Sequence, residues 1–318
     1  MSHHLVVGAG GIGRSTTDHL VRLGHTVTLA SRSGLVSERL WERDHPGAVT
    51  VVGADAADAD RLTELSQGAA SIVNAVNPPK YTSWDTDWPP VAAALLAAAE
   101  RSGAGLVTVS NLYGYGLVDA PMREEAPLRP NGHKGELRAR MWRDALALHE
   151  EGRIRATELR ASDYFGPGST KGTSVLNDFV LARALSGSTV VMPMGRPDVP
   201  HSWTYLPDIG ALAAVLASDD RSWGQVWHVP TSDPRSVRQV VEDAARLLDR
   251  RPARVWTVPR GVTTAAGAVV PLLRELRETR HQFERPFVLD SSRAERTFGL
   301  GPTPWEVALQ ATVAALAG

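Results

Sequence analysis

"HHLVVGAGGIGRS", residues 3–15, decides how the rest of the chain is read. A short apolar run ends in glycines and passes straight into a helical pattern from Ile12 to Leu23, closed by Gly24. The glycines fall as Gly8-x-Gly10-x-x-Gly13. Gly8 permits a tight turn, Gly10 lets the backbone come close to a ligand, and Gly13 lets the helix pack on the strand. The helix N-terminus adds free N–H groups and a partial positive charge, which together suit a pyrophosphate. In this strand–turn–helix setting the spacing predicts dinucleotide binding through Gly8, Gly10, Gly11, Ile12 and Gly13.

Outward from this turn the first half of the chain alternates. Apolar runs at 25–31, 48–55, 70–76, 105–111 and 154–162 read as strands, and helical patterns fall at 35–44, 58–67, 91–102 and 134–152. Strands separated by helices imply right-handed crossovers and a parallel sheet. The runs are apolar almost throughout, as expected of strands covered on both faces. After residue 165 the rhythm breaks. A turn-rich segment precedes helices near 176–185 and 206–218, a strand at 224–230, and a helix opened by Asp233 and Pro234. The expected fold is α/β, a doubly wound parallel sheet of Rossmann type with a smaller, mostly helical C-terminal lobe. Residues 1–165 form the dinucleotide-binding domain, to which 200–230 return, and 166–199 with 231–318 form a substrate lobe.

Composition narrows the function classes. The 318 residues are 43% hydrophobic and 22% charged, ordinary for a globular chain, and the formal charge of -1 leaves no excess cation for phosphate backbones. A nucleic-acid partner is not expected. The longest apolar run, Val91–Ala99, is about half of the ~20 residues a membrane span needs, so no membrane partner is expected either. With no basic stretch ahead of an apolar segment at the N-terminus, the expected location is cytoplasmic. No cysteine is present, which excludes disulfides, thiolate metal sites and thiol nucleophiles. No grouping of His, Asp and Glu has metal-ligand spacing, His3 and His4 included, so no metal is expected.

The second strand ends "LASRSG", placing Ser31, Arg32 and Ser33 at its tip. A carboxylate there would bond a ribose 2′-hydroxyl, whereas a guanidinium with two hydroxyls suits a 2′-phosphate. NADP(H) is therefore the predicted cofactor. Arg14 offers a second cation. Asp55, at the end of the third strand, falls beside the adenine ring or caps the next helix.

Further motifs lie downstream: "SNLYGYG" at 110–116, "RASDYFGPG" at 160–168, "HSWTYLPDIGALAAVLA" at 201–217 and "LDSSRAERTFGLGPTPWEVALQATVAAL" at 289–316. With the glycine turn, and in this order, they resemble an extended short-chain dehydrogenase/reductase of the NAD-dependent epimerase/dehydratase group over nearly the whole chain. The resemblance implies a Ser or Thr after strand five that polarises a substrate oxygen, and a Tyr-x-x-x-Lys pair on the following helix. This chain departs from that pattern. Asn111 stands in the place of the Ser or Thr, Lys134 aligns with the lysine, and Pro130 occupies the tyrosine's place.

Two readings follow from the departure. In one, catalysis survives with substituted parts: Tyr113 donates the proton, Lys134 lowers its pKa and holds the nicotinamide ribose, and Asn111 or Ser110 polarises the carbonyl. His133, Tyr164 and Tyr81 are lesser candidates, and the backbone at Asp163 and Tyr164 lines the nicotinamide end. The chain is then an NADP(H)-dependent oxidoreductase moving hydride to or from a carbonyl or alcohol carbon of a small organic substrate. A nucleotide-sugar epimerase or dehydratase with tightly held NAD is the alternative enzyme. In the other reading the pocket senses NADP(H) without chemistry.

Several residues have two readings. Tyr81, Trp84, Trp88, His201, Trp203 and Tyr205 are either walls of a substrate pocket or plain packing. Arg274, Arg277, Arg280 and Arg285 are either a diphosphate site or a solvated helix face. Lys80 reaches an anion or solvent, and Asp208 reads as a helix N-cap. The resemblance also implies a homodimer through the helices at 91–102 and 134–151.

Overall fold

Seven strands pair in parallel in the order β10-β6-β5-β4-β1-β2-β3. The computed structural model describes residues 1–78, 80–266, 275 and 277–317. It divides into two units, the first made of Met1–Asn111, Leu137–Ala161 and Pro207–Val229 and the second of Leu112–Glu136, Ser162–Leu206 and Pro230–Gly318.

The first unit carries the sheet. Its strands are β1 (His3–Val7), β2 (Thr26–Ser31), β3 (Val49–Gly53), β4 (Ser71–Asn74), β5 (Gly105–Asn111), β6 (Ala156–Ala161) and β10 (Val226–His228). Every residue of β4 and of β6 is buried, as the sequence leads one to expect of a sheet covered on both faces, and the two charges within β6, Glu158 and Arg160, pair at 2.7 Å. The order reverses between β1 and β4. Each neighbours the other, and the chain leaves them in opposite directions along the sheet. Such a switch point opens a crevice at the carboxyl ends of the strands.

Helix α1 (Gly11–Arg22) buries Gly13, Thr16, Thr17, Leu20 and Val21, one helical stripe. The two buried threonine hydroxyls donate back to Ile12 O and Gly13 O at 2.9 Å, so neither is left dry. Gly24, at φ 83°, ends the helix. Two short helices follow, α2 (Arg39–Glu42) and α3 (Ala59–Leu65).

The helix expected from Val91 begins earlier: α4 spans Trp84–Ser102, with Pro89 and Pro90 inside it. Pro89 and Pro90 are the sixth and seventh residues of the helix, so each removes an i→i−4 bond, to Asp85 O and Thr86 O, that another residue would make there. Trp84, Trp88, Val91, Leu95 and Ala98 make the buried stripe that holds this first turn in place. Trp88 is fully buried, and the Arg138 guanidinium lies 4.5 Å above its ring and donates to Val109 O at 2.8 Å. Trp84 and Trp88 are therefore core residues.

In the second unit, β7 (Tyr164–Phe165) pairs with β9 (Thr204–Tyr205), and β8 (Val190–Met192) pairs with β11 (Val255–Thr257). A π-helical turn at Leu176–Leu181 runs into a short helix, Ala182–Leu185. The helix expected to open at Asp233 and Pro234 instead spans Val237–Leu247. Ser236 caps it, with the Gln239 side chain returning the bond to the Ser236 backbone. Phe165, Trp203, Val240 and Trp305 anchor the core. Asp208 lies inside the first turn of the helix Leu206–Ser218 and is not its cap. No helix among the described residues is long and apolar enough to cross a membrane.

The start of β1 sets a pH response. His4 is buried, with Nδ1 2.8 Å from Ser71 Oγ and its ring edge-on to His25. Burial, then His25 and His3 nearby, pushes it down from 6.5 to about 4. The unfolded chain takes up this proton near 6.5 and the folded chain does not, so stability falls as pH drops from about 6.5 to about 4. The expected loss is about 3 kcal/mol. Urea unfolding at pH 7 and pH 4 should show it, and His4→Gln should flatten that part of the profile.

Candidate functional site

The glycine turn is built as a cradle. Gly8 has φ 106°, and a Cβ on it would sit 2.7 Å from the carbonyl carbon and oxygen of Ala75, the residue after β4. A Cβ on Gly13 would lie 1.7 Å from Gly8 O. Side chains are thus excluded at both positions by backbone. Gly10 differs: a Cβ there meets nothing within 4 Å. It is the N-cap of α1, with no side chain bonded to the helix end and no acidic residue in the first turn. The N–H groups of Gly11, Ile12 and Gly13 lie in that first turn, where helices leave donors unpaired. An open N-cap over unopposed donors fits a pyrophosphate, and these residues are the ones that would hold it.

Around this cradle the other expected cofactor residues divide. Arg32 is exposed at the tip of β2. Ser31 Oγ accepts from Gly34 N at 3.1 Å and Ser33 Oγ from Leu35 N at 3.3 Å, so both hydroxyls also brace the turn. Arg14 is exposed, with Nε donating to Ala9 O at 3.0 Å. Asp55 is exposed and accepts from Ala57 N at 2.9 Å, while Asp58 is the residue that caps α3. Ser110 is buried on β5, and Asn111 ends that strand opposite Ala161 of β6.

The second unit holds a small pocket lined by Tyr113, Asn131, Lys134, Glu278, Thr279 and Gln282, among others. Tyr113 opens the turn Tyr113–Tyr115, and Tyr115 packs beneath it with Leu112, Met122, Phe287 and Leu289. Helix α5 (His133–Glu150) begins against that turn: a Cβ on Gly135 would lie 2.6 Å from Tyr113 O. Tyr113 and Lys134, expected to work together, thus line one pocket.

Lys134 itself is only 1% exposed. Its ammonium pairs with Glu275 and, at 2.9 Å, with Glu278 Oε1, and lies 3.3 Å from His133 Nε2. His133, Glu275 and Glu278 come close enough together to offer three metal-ligating atoms, but the cation among them is the Lys134 ammonium. Gln282 is 2% exposed, and its side-chain nitrogen has no hydrogen-bond partner among the described residues. A buried amide left dry in a pocket wall marks a place for an acceptor.

The helix start separates the two expected positions. Pro130 stands three residues ahead of α5, outside it, so Pro130 and Lys134 are not two positions of one helix. The cations on α5 spaced four apart are Lys134 and Arg138.

Sequence reasoning missed Glu275, Glu278 and Gln282, and it missed the pairing of Asp163 with His201. His201 is buried, with Nε2 2.9 Å from Asp163 Oδ2 and Nδ1 3.0 Å from Gln282 O. Its ring stacks on Phe283 at 4.8 Å. Trp203 donates to Arg235 O and Tyr205 packs on Phe165, so these aromatics serve packing. Tyr81 meets Trp84 edge-on. Burial raises the Tyr164 phenol, with a hydrogen bond to Thr173 acting in the other direction. Arg277 donates to Thr264 O, Arg280 to Glu284, and Arg285 faces Asp119. Arg274 lies outside the described residues, and Lys80 is exposed.

Comparison with known proteins bears on both units. The profile of the NAD dependent epimerase/dehydratase family matches residues 4–227. No curated protein matches the chain. Among solved structures, MoeE5 in complex with UDP-glucuronic acid and NAD is 21% identical, with 99% of each chain covered and a TM-score of 0.77. The dTDP-glucose 4,6-dehydratase of Bacillus anthracis with NAD is 19% identical, covering 100% of this chain and 97% of the other, with a TM-score of 0.80. The UDP-glucuronic acid 4-epimerase of Bacillus cereus, with its substrate and NAD, is 17% identical over 99% of each chain, with a TM-score of 0.78. The likeness is one of fold, and it extends over the second unit as well as the first.

Proposed function

Since the chain belongs to the NAD-dependent epimerase/dehydratase family, we propose that it is a nicotinamide-dinucleotide-dependent oxidoreductase that epimerises or dehydrates a nucleotide sugar. The observation that carries this reading is the cradle at Gly8, Gly10 and Gly13, set at the switch point of the sheet. The full-length likeness to dehydratase and epimerase folds supports the substrate class.

In this reading Gly10, Gly11, Ile12 and Gly13 hold the pyrophosphate by backbone N–H groups. The bound dinucleotide supplies a hydride acceptor. The chain's own task is to bind and orient the sugar and to move a proton at its hydroxyl. Ser110 and Asn111, at the carboxyl end of β5, are assigned to orient that oxygen. Lys134, in the first turn of α5, keeps the place of the family's lysine. Lys134 Nζ is then the proton-carrying atom, with Tyr113 beside it in the pocket wall.

A second reading, an NADP(H)-dependent reductase of a small carbonyl compound, is favoured by Arg32 between Ser31 and Ser33. One set of measurements separates the two. Protein denatured after purification should release NAD, and adding a nucleoside-diphosphate sugar to the intact protein should produce reduced-nicotinamide absorbance. Free exchange of NADPH, no absorbance with the sugar, and an Arg32→Ala variant weakened about tenfold for NADPH but not NADH would favour the reductase. Protein that releases no dinucleotide on denaturation and binds none by calorimetry would remove both.

A further inference from the structure

Lys134 is 1% exposed, whereas the side chain next to it, His133, is 51% exposed. The two meet at 3.3 Å between Lys134 Nζ and His133 Nε2. An ammonium only donates, so Nε2 accepts through its lone pair, and the ring proton resides on Nδ1. Nδ1 lies 3.2 Å from Glu278 Oε2, which accepts from it. Both neighbours therefore select the same neutral tautomer, with an acceptor turned toward the buried cation and a donor turned toward a carboxylate. Glu278 is 14% exposed, and its other oxygen, Oε1, accepts from Lys134 at 2.9 Å. Glu275 completes the group, with Oε2 3.7 Å from His133 Nε2.

We propose that His133 is a second conduit, beside the direct contact of Lys134 Nζ with Glu278 Oε1, by which protons pass between the buried Lys134 ammonium and solvent. One Nζ proton moves to His133 Nε2 as the Nδ1 proton moves to Glu278 Oε2. Lysine loses its positive charge and Glu278 its negative charge, so the step creates no net charge and the imidazole stays neutral. The Glu278 carboxyl proton exchanges with water at the pocket rim, and the reverse movement returns a solvent proton to Nζ and restores the ring tautomer. An imidazole suits this task because it presents an acceptor and a donor on opposite sides. The inference deepens the proton-carrying role assigned to Lys134 above. It makes His133 a relay residue, since its role is exercised through Lys134.

The chain's lysines are Lys80, Lys134 and Lys171, and the other two are exposed. Protein labelled with 15N-lysine thus gives three side-chain signals, two of which serve as controls for folding and for solvent conditions. The measurement is exchange of the Lys134 Nζ protons with water by NMR, on full-length protein without substrate or cofactor. His133→Phe keeps the bulk and removes both ring nitrogens, and exchange at Lys134 is expected to slow about twofold or more, the direct contact with Glu278 Oε1 remaining, with Lys80 and Lys171 unchanged. His133→Gln, which keeps polar atoms but cannot pass a proton through a ring, is expected to slow it similarly and carries the test should the phenylalanine variant misfold. Exchange at Lys134 as fast as in the parent protein, or faster, overturns the relay. Because neither substrate nor dinucleotide enters the experiment, a chain that binds no dinucleotide yet shows the slowing keeps the relay and loses the enzymatic reading.

Discussion

Gly10→Asp is expected to weaken dinucleotide binding about a hundredfold or more while leaving the melting temperature unchanged or slightly higher. Gly10 has φ -72° and ψ -172°, extended backbone open to any residue, and a Cβ there meets nothing within 4 Å. The fold therefore loses nothing by the substitution. Aspartate is moreover a favoured N-cap, and its carboxylate accepts from the N–H groups of Ile12 or Gly13. Those are the donors assigned to the pyrophosphate, so the new side chain both occupies the anion's place and repels it. The contrast is Gly13→Ala, whose Cβ would fall 1.7 Å from Gly8 O and disturb the fold itself. Calorimetry with NAD and NADPH, paired with thermal melts, reads both quantities. Parent-like affinity in Gly10→Asp would mean that the helix end does not hold the phosphates.

Lys134→Met is expected to cost about 3–5 kcal/mol of folding stability. The methionine fits the space of the aliphatic stem, so the loss is electrostatic. Glu275 and Glu278 are 17% and 14% exposed, and without the ammonium they face each other as uncompensated carboxylates. Neutralising them should reverse most of the effect: Lys134→Met combined with Glu275→Gln and Glu278→Gln should recover the larger part of the lost stability. Urea denaturation of the three proteins decides it. A single variant as stable as the parent would show that the cluster is solvated and that Lys134 is not held as described.

The glycine turn was legible because everything it requires lies within a dozen residues. Gly8, Gly10 and Gly13 act on their own backbone and on α1, and the strand–helix alternation around them dictates a parallel sheet. The start of α4 was less so: Pro89 and Pro90 read as an opening signal, and only the burial of Trp84 and Trp88 against Arg138 shows why the helix begins before them. The Lys134 cluster had no local signature at all. Its carboxylates lie 141 and 144 residues downstream, a separation at which spacing carries no information. The start of α5 was also hidden, since no capping residue in the sequence marks it. With α5 beginning at His133, Lys134 belongs to its first turn and Arg138 to the next.

The strand order has a consequence for synthesis on the ribosome. β6 ends at Ala161, yet its outer neighbour β10 is not made until Val226–His228, and Ser162–Leu206 of the second unit lie between them. A nascent chain that has emerged only as far as β6 therefore carries an unpaired sheet margin whose Glu158 and Arg160 have not yet been buried, the kind of edge that sticks to other chains. The interval before β10 arrives is where a chaperone would be most needed, and a fragment cut off after Ala161 would inherit that hazard permanently.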